Sequence, residues 1–447
     1  MSGKGPTLLL FTLEFPFGGR ETFLESEIGF LAGEFPSVVA LPSRMEGRAR
    51  PVPENVEIEE GLARTLARRG RWSRLAHALG TGPFWRELAR RPKVLVRPRR
   101  LSRLVGYSGH ASLIRGWLEG YLPARRREDG EGGVDDPVLY AYWLHTAAAA
   151  MAMLPPGGRT GPAVARAHRF DLYEEHVDPP YIPLQRYTVE GLDRVFCVSG
   201  DGVRYLTEKY PDLADRLALR RLGVPDPGTS ASPSSDGVFR IVSCSTLNPV
   251  KRVPLLVAAL GELARRRPDE KIRWDHFGDG PERTRVEEAA AGLPGARVEW
   301  CLHGHLPNRE VLAWYGSRPV DVFVNVSSSE GVPVSIMEAQ SFGVPVVATA
   351  VGGTPEIVEK ETGAPLPPDP APGEVARALE TFLPGSRGVS EAREGAKERW
   401  RRSYDASRNY ARFARELRGL GPRVAAKASG GAREDVRGGR RQEEGSR

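Results

Sequence analysis

The stretch DVFVNVSSSEGVPVSIMEAQS, from Asp321 to Ser341, is the segment that decides the fold of this chain. Its apolar, β-branched run from Val322 to Val326 has the length and composition of a buried parallel strand. A polar turn follows, and Pro333 suits the first position of a helix, where no N–H donor is needed. The pattern predicts strand, loop and helix, with free N–H groups at the helix N-terminus for an anion.

Two carboxylates flank that predicted anion site, with seven residues between them. Glu330 lies just ahead of the helix and could face a sugar or a developing cation. Glu338 lies about a turn and a half inside the helix, where it could accept hydrogen bonds from vicinal hydroxyls such as a ribose diol. Two glutamates at arbitrary spacing are more often a helix cap and a solvated polar face.

The surrounding residues make the pair specific. The run EGVPVSIMEAQSFGVPVVATAVGGTPEIV, Glu330 to Val358, resembles the Glu-x7-Glu region of family-4 glycosyltransferases. These are retaining enzymes, and the group resembled occurs in surface polysaccharide biosynthesis. The resemblance implies an α/β protein of the GT-B fold. That fold has two doubly wound, parallel-sheet Rossmann-like domains facing a cleft, with a C-terminal helix that crosses back to the first domain.

The same resemblance implies an activity: a sugar moves from a nucleoside-diphosphate sugar to a glycan or lipid-linked acceptor with retained configuration. Glu330 would orient the sugar or act as nucleophile, and these two roles remain open. Glu338 would hold the ribose, and the N–H groups near Val334 and Ser335 would bind the diphosphate. No cofactor is expected beyond the nucleotide sugar as co-substrate. The chain contains no Asp-x-Asp, which fits metal-independent transfer.

The N-terminal segment predicts another strand, glycine loop and helix. Thr7 to Thr12 is the strand, and Glu21 to Leu31 has helical apolar spacing. Gly19 would let the backbone approach a ligand closely, although a plain tight turn explains it as well. The segment is similar to the first loop of the family, which implies that Gly19 lies near the donor diphosphate.

His168 directly follows the predicted strand Val164 to Ala167, at the sheet edge where open α/β sheets bind ligands. A lone histidine is more often structural. The pattern Arg-Ala-His-x-x-Asp-Leu-Tyr nevertheless resembles the acceptor-domain histidine region of the family. By that resemblance His168 faces the transferred sugar as a catalytic residue, and Asp171 supports its loop.

Lys251 and Arg252 precede a helix predicted to start near Val253, where two cations can neutralise a diphosphate. The segment resembles the family's phosphate-binding loop, in which a lysine occupies the place of Lys251. Many members carry an arginine five residues earlier, where this chain has Thr246. We expect Arg252 to replace the missing cation, or the donor contacts to differ.

Residues 61–127 carry a marked excess of positive charge, with seventeen Arg or Lys against Glu87 and Glu119. Interleaved leucines and tryptophans predict amphipathic helices. Such helices can lie on an anionic membrane surface. Ordinary arginine-rich surface helices are an equally good explanation. Nucleic acid is not expected as a partner, because no recognition motif accompanies the charge.

Composition and linkers give the domain organisation. We predict an N-terminal acceptor-side domain at 1–222, a linker at 223–237 and a nucleotide-sugar-binding domain at 238–398. Trp400 to Leu420 has the spacing of one amphipathic helix within a crossover segment at 399–420. The tail at 421–447 lacks apolar anchors and is predicted to be disordered.

The chain has no apolar run of transmembrane length and no secretion signal at its N-terminus. Three cysteines in separate apolar stretches predict buried thiols in a reducing compartment. The expected location is therefore the cytoplasm, with peripheral association at the inner face of the membrane as an alternative.

The turn HGHLPN contains His303 and His305, which suggest a metal. Two histidines at i and i+2 are weak evidence for a metal, so no metal site is predicted. The resemblance to the family implies instead that this loop frames the nucleotide base.

Two competing functions remain at this level. A nucleotide-sugar epimerase shares the fold and ligand class, but would need an acid/base pair that is not evident beyond His168. A non-catalytic basic protein that binds membrane or nucleic acid would explain residues 61–127, but would leave the Glu-x7-Glu region without a purpose.

Overall fold

The computed structural model describes residues 5–19, 21, 23–128, 136–155, 157–159 and 161–420, so the tail predicted to be disordered lies outside the described residues. The chain forms two parallel sheets, each with a hydrophobic core on both faces. This confirms the predicted pair of doubly wound domains. Because the strands are buried on both sides, they consist of nearly continuous apolar runs.

The first sheet has seven strands in the order β3-β2-β1-β4-β5-β6-β7, all parallel. Its strands are β1 Leu8–Thr12, β2 Val38–Pro42, β3 Val56–Ile58, β4 Val138–Ala141, β5 Ala163–Ala167, β6 Arg194–Cys197 and β7 Leu217–Leu219. Its helices are α1 Leu24–Glu34, α2 Gly61–Ala67, α3 Arg71–Leu79, α4 Gly82–Arg90, α5 Pro98–Glu128, α6 Thr146–Ala152, α7 Gln185–Gly191 and α8 Gly200–Lys209.

The second sheet has six strands in the order β10-β9-β8-β11-β12-β13, again all parallel. Its strands are β8 Val238–Cys244, β9 Lys271–Phe277, β10 Val298–Leu302, β11 Val322–Asn325, β12 Val346–Thr349 and β13 Gly363–Leu366. Its helices are α9 Val253–Arg266, α10 Arg283–Ala291, α11 Asn308–Ser317, α12 Val334–Ser341, α13 Pro372–Glu380 and α14 Val389–Ser403, and the last helix of the described chain is α15 Ala406–Arg418.

The last helix crosses back to the first domain, as predicted. Phe413 and Leu417 of α15 are fully buried in the core formed by β1, β2 and β4. The prediction of one helix from Trp400 to Leu420 was wrong, because α14 ends at Ser403 and α15 starts at Ala406. Val224 of the linker causes the break: its N–H donates to the Tyr404 carbonyl, and its own carbonyl accepts from the Ala406 N–H.

The basic segment forms the four helices α2 to α5, as its amphipathic pattern indicates. The longest, α5, has 31 residues, and its buried Leu104, Ile114 and Leu118 face the first domain or the smaller core beside it. Among the described residues, no helix combines the length and apolar character needed to cross a bilayer.

Candidate active site

Several of the predicted site residues lie where the carboxyl ends of the two sheets face each other. His168 and Arg169 follow β5 of the first domain, while Glu330 and Gly331 follow β11 of the second. The domains touch here, since a Cβ built on Gly331 would lie 3.1 Å from the His168 carbonyl oxygen. Arg169 also donates from Nε to Ser329 Oγ across the cleft at 2.9 Å. This is the edge at which parallel α/β sheets bind ligands.

Lys251 and Glu330 form the central ion pair of the cleft. Lys251 Nζ lies 2.6 Å from Glu330 Oε1, and Asn325 donates to the same oxygen at 3.1 Å. Burial alone would raise the pKa of Glu330, but the charge of Lys251 and hydrogen bonds from Lys251, Ser327 and Asn325 hold that pKa below its ordinary value. Glu330 is therefore an ionised carboxylate, although only 6% of its surface is exposed.

Glu338 is the opposite case. It points inward from α12 and accepts one hydrogen bond, at 2.7 Å, from Asn308 Nδ2 at the start of α11. Burial raises its pKa to about 7, and the hydrogen bond from Asn308 only partly offsets this. A buried carboxyl with a single neutral partner is suited to receive hydrogen bonds from a ligand's hydroxyl groups.

The anion site predicted at the start of α12 would be built from backbone N–H groups. The helix starts at Val334, one residue later than predicted, because Pro333 occupies the capping position just before the helix. The N–H groups of Val334 and Ser335 belong to the first turn, where no preceding helical carbonyl can accept them. Gly352 packs directly against the loop that precedes the helix. A Cβ on Gly352 would lie 1.9 Å from the Glu330 carbonyl oxygen.

His168 faces this region from an aromatic pocket. Its ring lies 4.3 Å from the ring of Trp143 and 4.9 Å from that of Tyr142. Neither ring nitrogen has a hydrogen-bond partner among the described residues, although both nitrogens are buried. Asp171 supports the loop, because it accepts from the N–H groups of His168 and Leu144 at 2.8 and 2.9 Å.

Gly19 is exposed, with no atom within 4 Å of a Cβ built on it. Its loop is held by Glu21, whose carboxylate accepts from the N–H groups of Leu13, Glu14 and Phe15 at 3.1, 2.7 and 2.7 Å. Because Glu21 is used in this way, α1 starts only at Leu24, later than predicted. The loop is thus a preformed backbone turn with open space beside Gly19.

Arg252 is not brought into the Lys251–Glu330 group. Its guanidinium donates to the carbonyls of Val326, Ser327 and Pro368 at 2.7, 3.1 and 2.8 Å, and it pairs with Asp369 at 2.9 Å. These contacts hold the loop after β11 in place. Thr246 is exposed and follows the end of β8. The role of Arg252 as a donor contact remains a prediction.

Three residues that contact the candidate site or its loops were not predicted from the sequence. Arg169 supplies the cation on the first-domain side, Asn308 is the partner of Glu338, and Glu21 shapes the glycine loop. Arg169 directly follows His168 at a strand end, and that position was a usable signal. Asn308 and Glu21 have no local signal. The partner of Asn308 is far away in the sequence, and the partners of Glu21 lie in an irregular loop.

Comparison with known proteins finds similarity to glycosyltransferases. Residues 238–384 match the family described as "Glycosyl transferases group 1". The matched stretch begins at the start of β8 and ends shortly after α13, within the second domain. The chain is also 34% identical to a phosphatidylinositol N-acetylglucosaminyltransferase component from Arabidopsis thaliana, over 34% of this chain and 33% of that protein. It is 27% identical to the putative colanic acid biosynthesis glycosyltransferase WcaL of Escherichia coli, over 38% of this chain and 42% of that protein.

Solved structures extend the similarity beyond residues 238–384 to nearly the whole chain. Anabaena HepE in complex with UDP and glucose has a TM-score of 0.58 and 17% identity, over 92% of this chain and 99% of that one. Trehalose-6-phosphate synthase OtsA has a TM-score of 0.64 and 14% identity, over 93% and 100%. The fold is therefore GT-B, as predicted. These two curated relatives are matched over less than half their length, and the assignment to family 4 remains a prediction.

Proposed function

We propose that this protein is a retaining, metal-independent glycosyltransferase that moves a sugar from a nucleoside-diphosphate sugar to a glycan or lipid-linked acceptor. The observation that carries the proposal is the ion pair between the partly buried Lys251 and the buried Glu330, at 2.6 Å, facing His168 and Arg169 across the cleft. The likeness of part of the chain to WcaL, named for colanic acid biosynthesis, supports a role in cell-surface polysaccharide synthesis.

In the proposed reaction the bond between the anomeric carbon and the diphosphate oxygen breaks. Positive charge develops on the sugar, and negative charge develops on the leaving nucleoside diphosphate. Lys251, Arg169 and the first-turn N–H groups of Val334 and Ser335 stabilise that negative charge. Glu330 faces the developing cation, and Glu338 accepts hydrogen bonds from the ribose.

The acceptor hydroxyl then forms the new bond at the anomeric carbon, and its proton passes to the departing diphosphate. Glu330 Oε1 already accepts from Lys251 and Asn325, which makes that oxygen a weaker nucleophile. These contacts favour the role in which Glu330 orients the sugar. They disfavour the role in which Glu330 forms a covalent intermediate. His168 lines the sugar's path among the rings of Trp143 and Tyr142.

A donor panel tests the proposal. Thermal shift with UDP-, GDP- and ADP-sugars is expected to select one nucleotide. Glu338→Gln, which keeps the shape and the Asn308 contact, is expected to weaken that shift, whereas the exposed Glu398→Gln on α14 leaves it unchanged. No shift with any donor would contradict the proposal. Conversion of the donor into its epimer, without transfer of the sugar to an acceptor, would favour the epimerase.

We further propose that the basic segment 61–127 places the enzyme on the inner face of an anionic membrane. Of the six exposed large apolar side chains among the described residues, five lie in α3, α4 and the turn after α4: Trp72, Leu79, Trp85, Leu95 and Val96. Trp72 is 72% exposed and Val96 is 77% exposed. Apolar side chains of this size enter the headgroup region when basic residues surround them.

The basic residues around these apolar side chains support an anionic membrane as the partner. Several arginines of the segment are used within the protein, such as Arg91 with Glu174 and Arg99 with Asp178. Others are exposed and form no ion pair within the described part of the chain: Arg68, Arg69, Arg71, Arg74, Lys93 and Arg97. Each basic residue near an anionic surface contributes about 1 kcal/mol to binding.

Vesicle sedimentation tests the membrane proposal. Binding is expected to vesicles of phosphatidylglycerol and phosphatidylcholine but not to phosphatidylcholine alone, and to weaken with salt. Trp72→Gln with Val96→Gln is expected to reduce binding about tenfold or more. Phe170→Gln, which changes the exposed aromatic side chain outside the segment, is the control and keeps binding. Equal binding by the double variant would contradict the proposal.

A further inference from the structure

A thiol, an imidazole and a carboxylate lie in a row on the second sheet. Cys301 is the fourth residue of β10, His303 directly follows that strand, and Asp275 lies on the neighbouring strand β9. His303 Nδ1 is 3.8 Å from Cys301 Sγ, and His303 Nε2 is 2.7 Å from Asp275 Oδ1. The imidazole therefore bridges the thiol and the carboxylate with its two different nitrogens.

The ring and the carboxylate are both held in place. His303 stacks on Phe277, with ring centres 4.6 Å apart and an interplanar angle of 9°. Arg273 donates to both oxygens of Asp275, each at 3.1 Å. A carboxylate that fixes one imidazole nitrogen leaves the other as a proton acceptor for the thiol, which is the arrangement that activates a cysteine nucleophile.

The same three groups could be considered as metal ligands, since their ligand atoms lie within 4.8 Å of one another. Two features oppose this. The two nitrogens of His303 face different partners, so the thiol, the imidazole and the carboxylate do not converge on one point. Asp275 is also neutralised by Arg273, which weakens it as a ligand for a cation.

We propose that Cys301 is a reactive thiol and a site of covalent modification by small disulfides. The Cys301 proton passes to His303 Nδ1, and the thiolate attacks one sulfur of the disulfide. That S–S bond breaks, the mixed disulfide forms on Cys301, and the second sulfur leaves as a thiolate that takes the proton back from His303. The disulfide supplies the oxidising equivalents, so the step balances.

The other two cysteines provide internal controls. Cys197 is completely buried, and burial raises the pKa of its thiol far above the ordinary value. Burial also raises the pKa of Cys244 to about 12, with a smaller contribution from Glu338. The raised pKa values favour the protonated and less reactive form of both thiols.

Modification of Cys301 would affect donor binding, and this consequence rests on the proposed function. Cys301 lies three residues before Gly304, whose carbonyl accepts from the Gly278 N–H at 2.8 Å. The His303 N–H donates to the His276 carbonyl at 2.9 Å in the same turn. By the resemblance given above, this loop frames the nucleotide base. An adduct on Cys301 that displaces His303 would therefore weaken donor binding.

Labelling of the folded, full-length protein with iodoacetamide tests the proposal, with each cysteine followed by mass spectrometry. Cys301 is expected to react first, and at least about tenfold faster than in His303→Phe. That variant keeps a ring stacked on Phe277 but removes the base. If exposure alone controlled reactivity, Cys301 would react as fast in His303→Phe, and this result would overturn the proposal.

Two further measurements complete the test. The melting temperature shows whether His303→Phe is folded, and His303→Gln replaces it if it is not. Protection of Cys301 from labelling by micromolar Zn²⁺ alone would show a metal site and overturn the proposal. If Cys301 reacts as expected but the unlabelled protein binds no nucleotide sugar, the proposed function fails while the reactive thiol stands.

Discussion

The Lys251–Glu330 pair shows how one contact can serve both stability and chemistry. A buried carboxylate is costly unless a partner compensates its charge, and here Lys251 and Asn325 do so. The same lysine would stabilise the leaving diphosphate. Removal of either partner is therefore expected to lower both the stability of the fold and the rate of transfer, and the two effects can be measured separately.

Lys251→Met leaves the Glu330 carboxylate buried without its cation. We expect the free energy of unfolding to fall by about 3 kcal/mol and turnover to fall by about 10²–10³-fold. Urea unfolding and a transfer assay measure these effects. The double variant Lys251→Met with Glu330→Gln is expected to recover most of the stability and none of the turnover. Recovery of both would assign the pair a purely structural role.

Glu338 predicts a pH dependence with a definite sign. Its folded-state pKa is raised to about 7 from an ordinary value of 4.5. Between these pH values the unfolded chain loses the proton while the folded protein keeps it, so the folded state loses stability as pH rises. Relative to Glu338→Gln, the wild type is expected to lose about 3 kcal/mol between pH 4.5 and 7. A constant difference across that range would contradict the raised pKa.

At the scale of elements, the turn after β12 sets the position of the Glu330 loop. Gly352 has a φ of +52°, and the Gly353 N–H donates to the Gly331 carbonyl at 2.7 Å. A Cβ on Gly352 would overlap the Glu330 carbonyl. The turn can therefore pack this close to the loop only if residue 352 is glycine.

Gly352→Ala is therefore expected to abolish the thermal shift by the nucleotide-sugar donor and to destabilise the fold. Gly385→Ala is the matched control, because Gly385 has a φ of +83° and no atom within 4 Å of its Cβ position. That control introduces only the backbone strain, about 1 kcal/mol, and keeps donor binding. If both variants bind the donor equally, crowding at Gly352 is not what shapes the site.

The elements also show where local patterns succeed. The strand at Val322 and the helix at Val253 lie where the apolar periodicity predicts them, because burial on a sheet or a helix face dictates that periodicity. The helix predicted from Trp400 to Leu420 has continuous periodicity but is broken at Tyr404 and Asp405. Val224 causes that break from about 180 residues away, so no local pattern reports it.

At the scale of the whole molecule, Glu356 ties the two domains together. Its carboxylate accepts from the N–H groups of Gly200 and Asp201, at 3.0 and 2.8 Å, and pairs with Arg221 at 3.1 Å. All three partners belong to the first domain. An acidic side chain at the N-terminus of α8 also interacts favourably with the helix dipole.

Glu356→Ala is expected to speed amide hydrogen exchange at the start of α8 and to raise the KM for the donor, because the cleft loses one of its fixed contacts. Glu359→Ala, which removes an ion pair to Arg399 within the second part of the chain, is the control and leaves α8 unchanged. Unchanged exchange in Glu356→Ala would show that other contacts alone hold the domains.

The sequence by itself determined the two α/β domains, the spacing of Glu330 and Glu338, the strand-end position of His168 and the position of Lys251 just ahead of a helix. Each of these depends on local periodicity or on a contiguous motif. Only the tertiary structure decided the partners: Arg169 with Ser329, Asn308 with Glu338, and Arg252 with the carbonyls after β11. Cys301, His303 and Asp275 likewise meet only because β9 and β10 are neighbours. The physical reason is that a side chain's partner depends on strand order and domain docking, which bring together residues 26 to 160 positions apart.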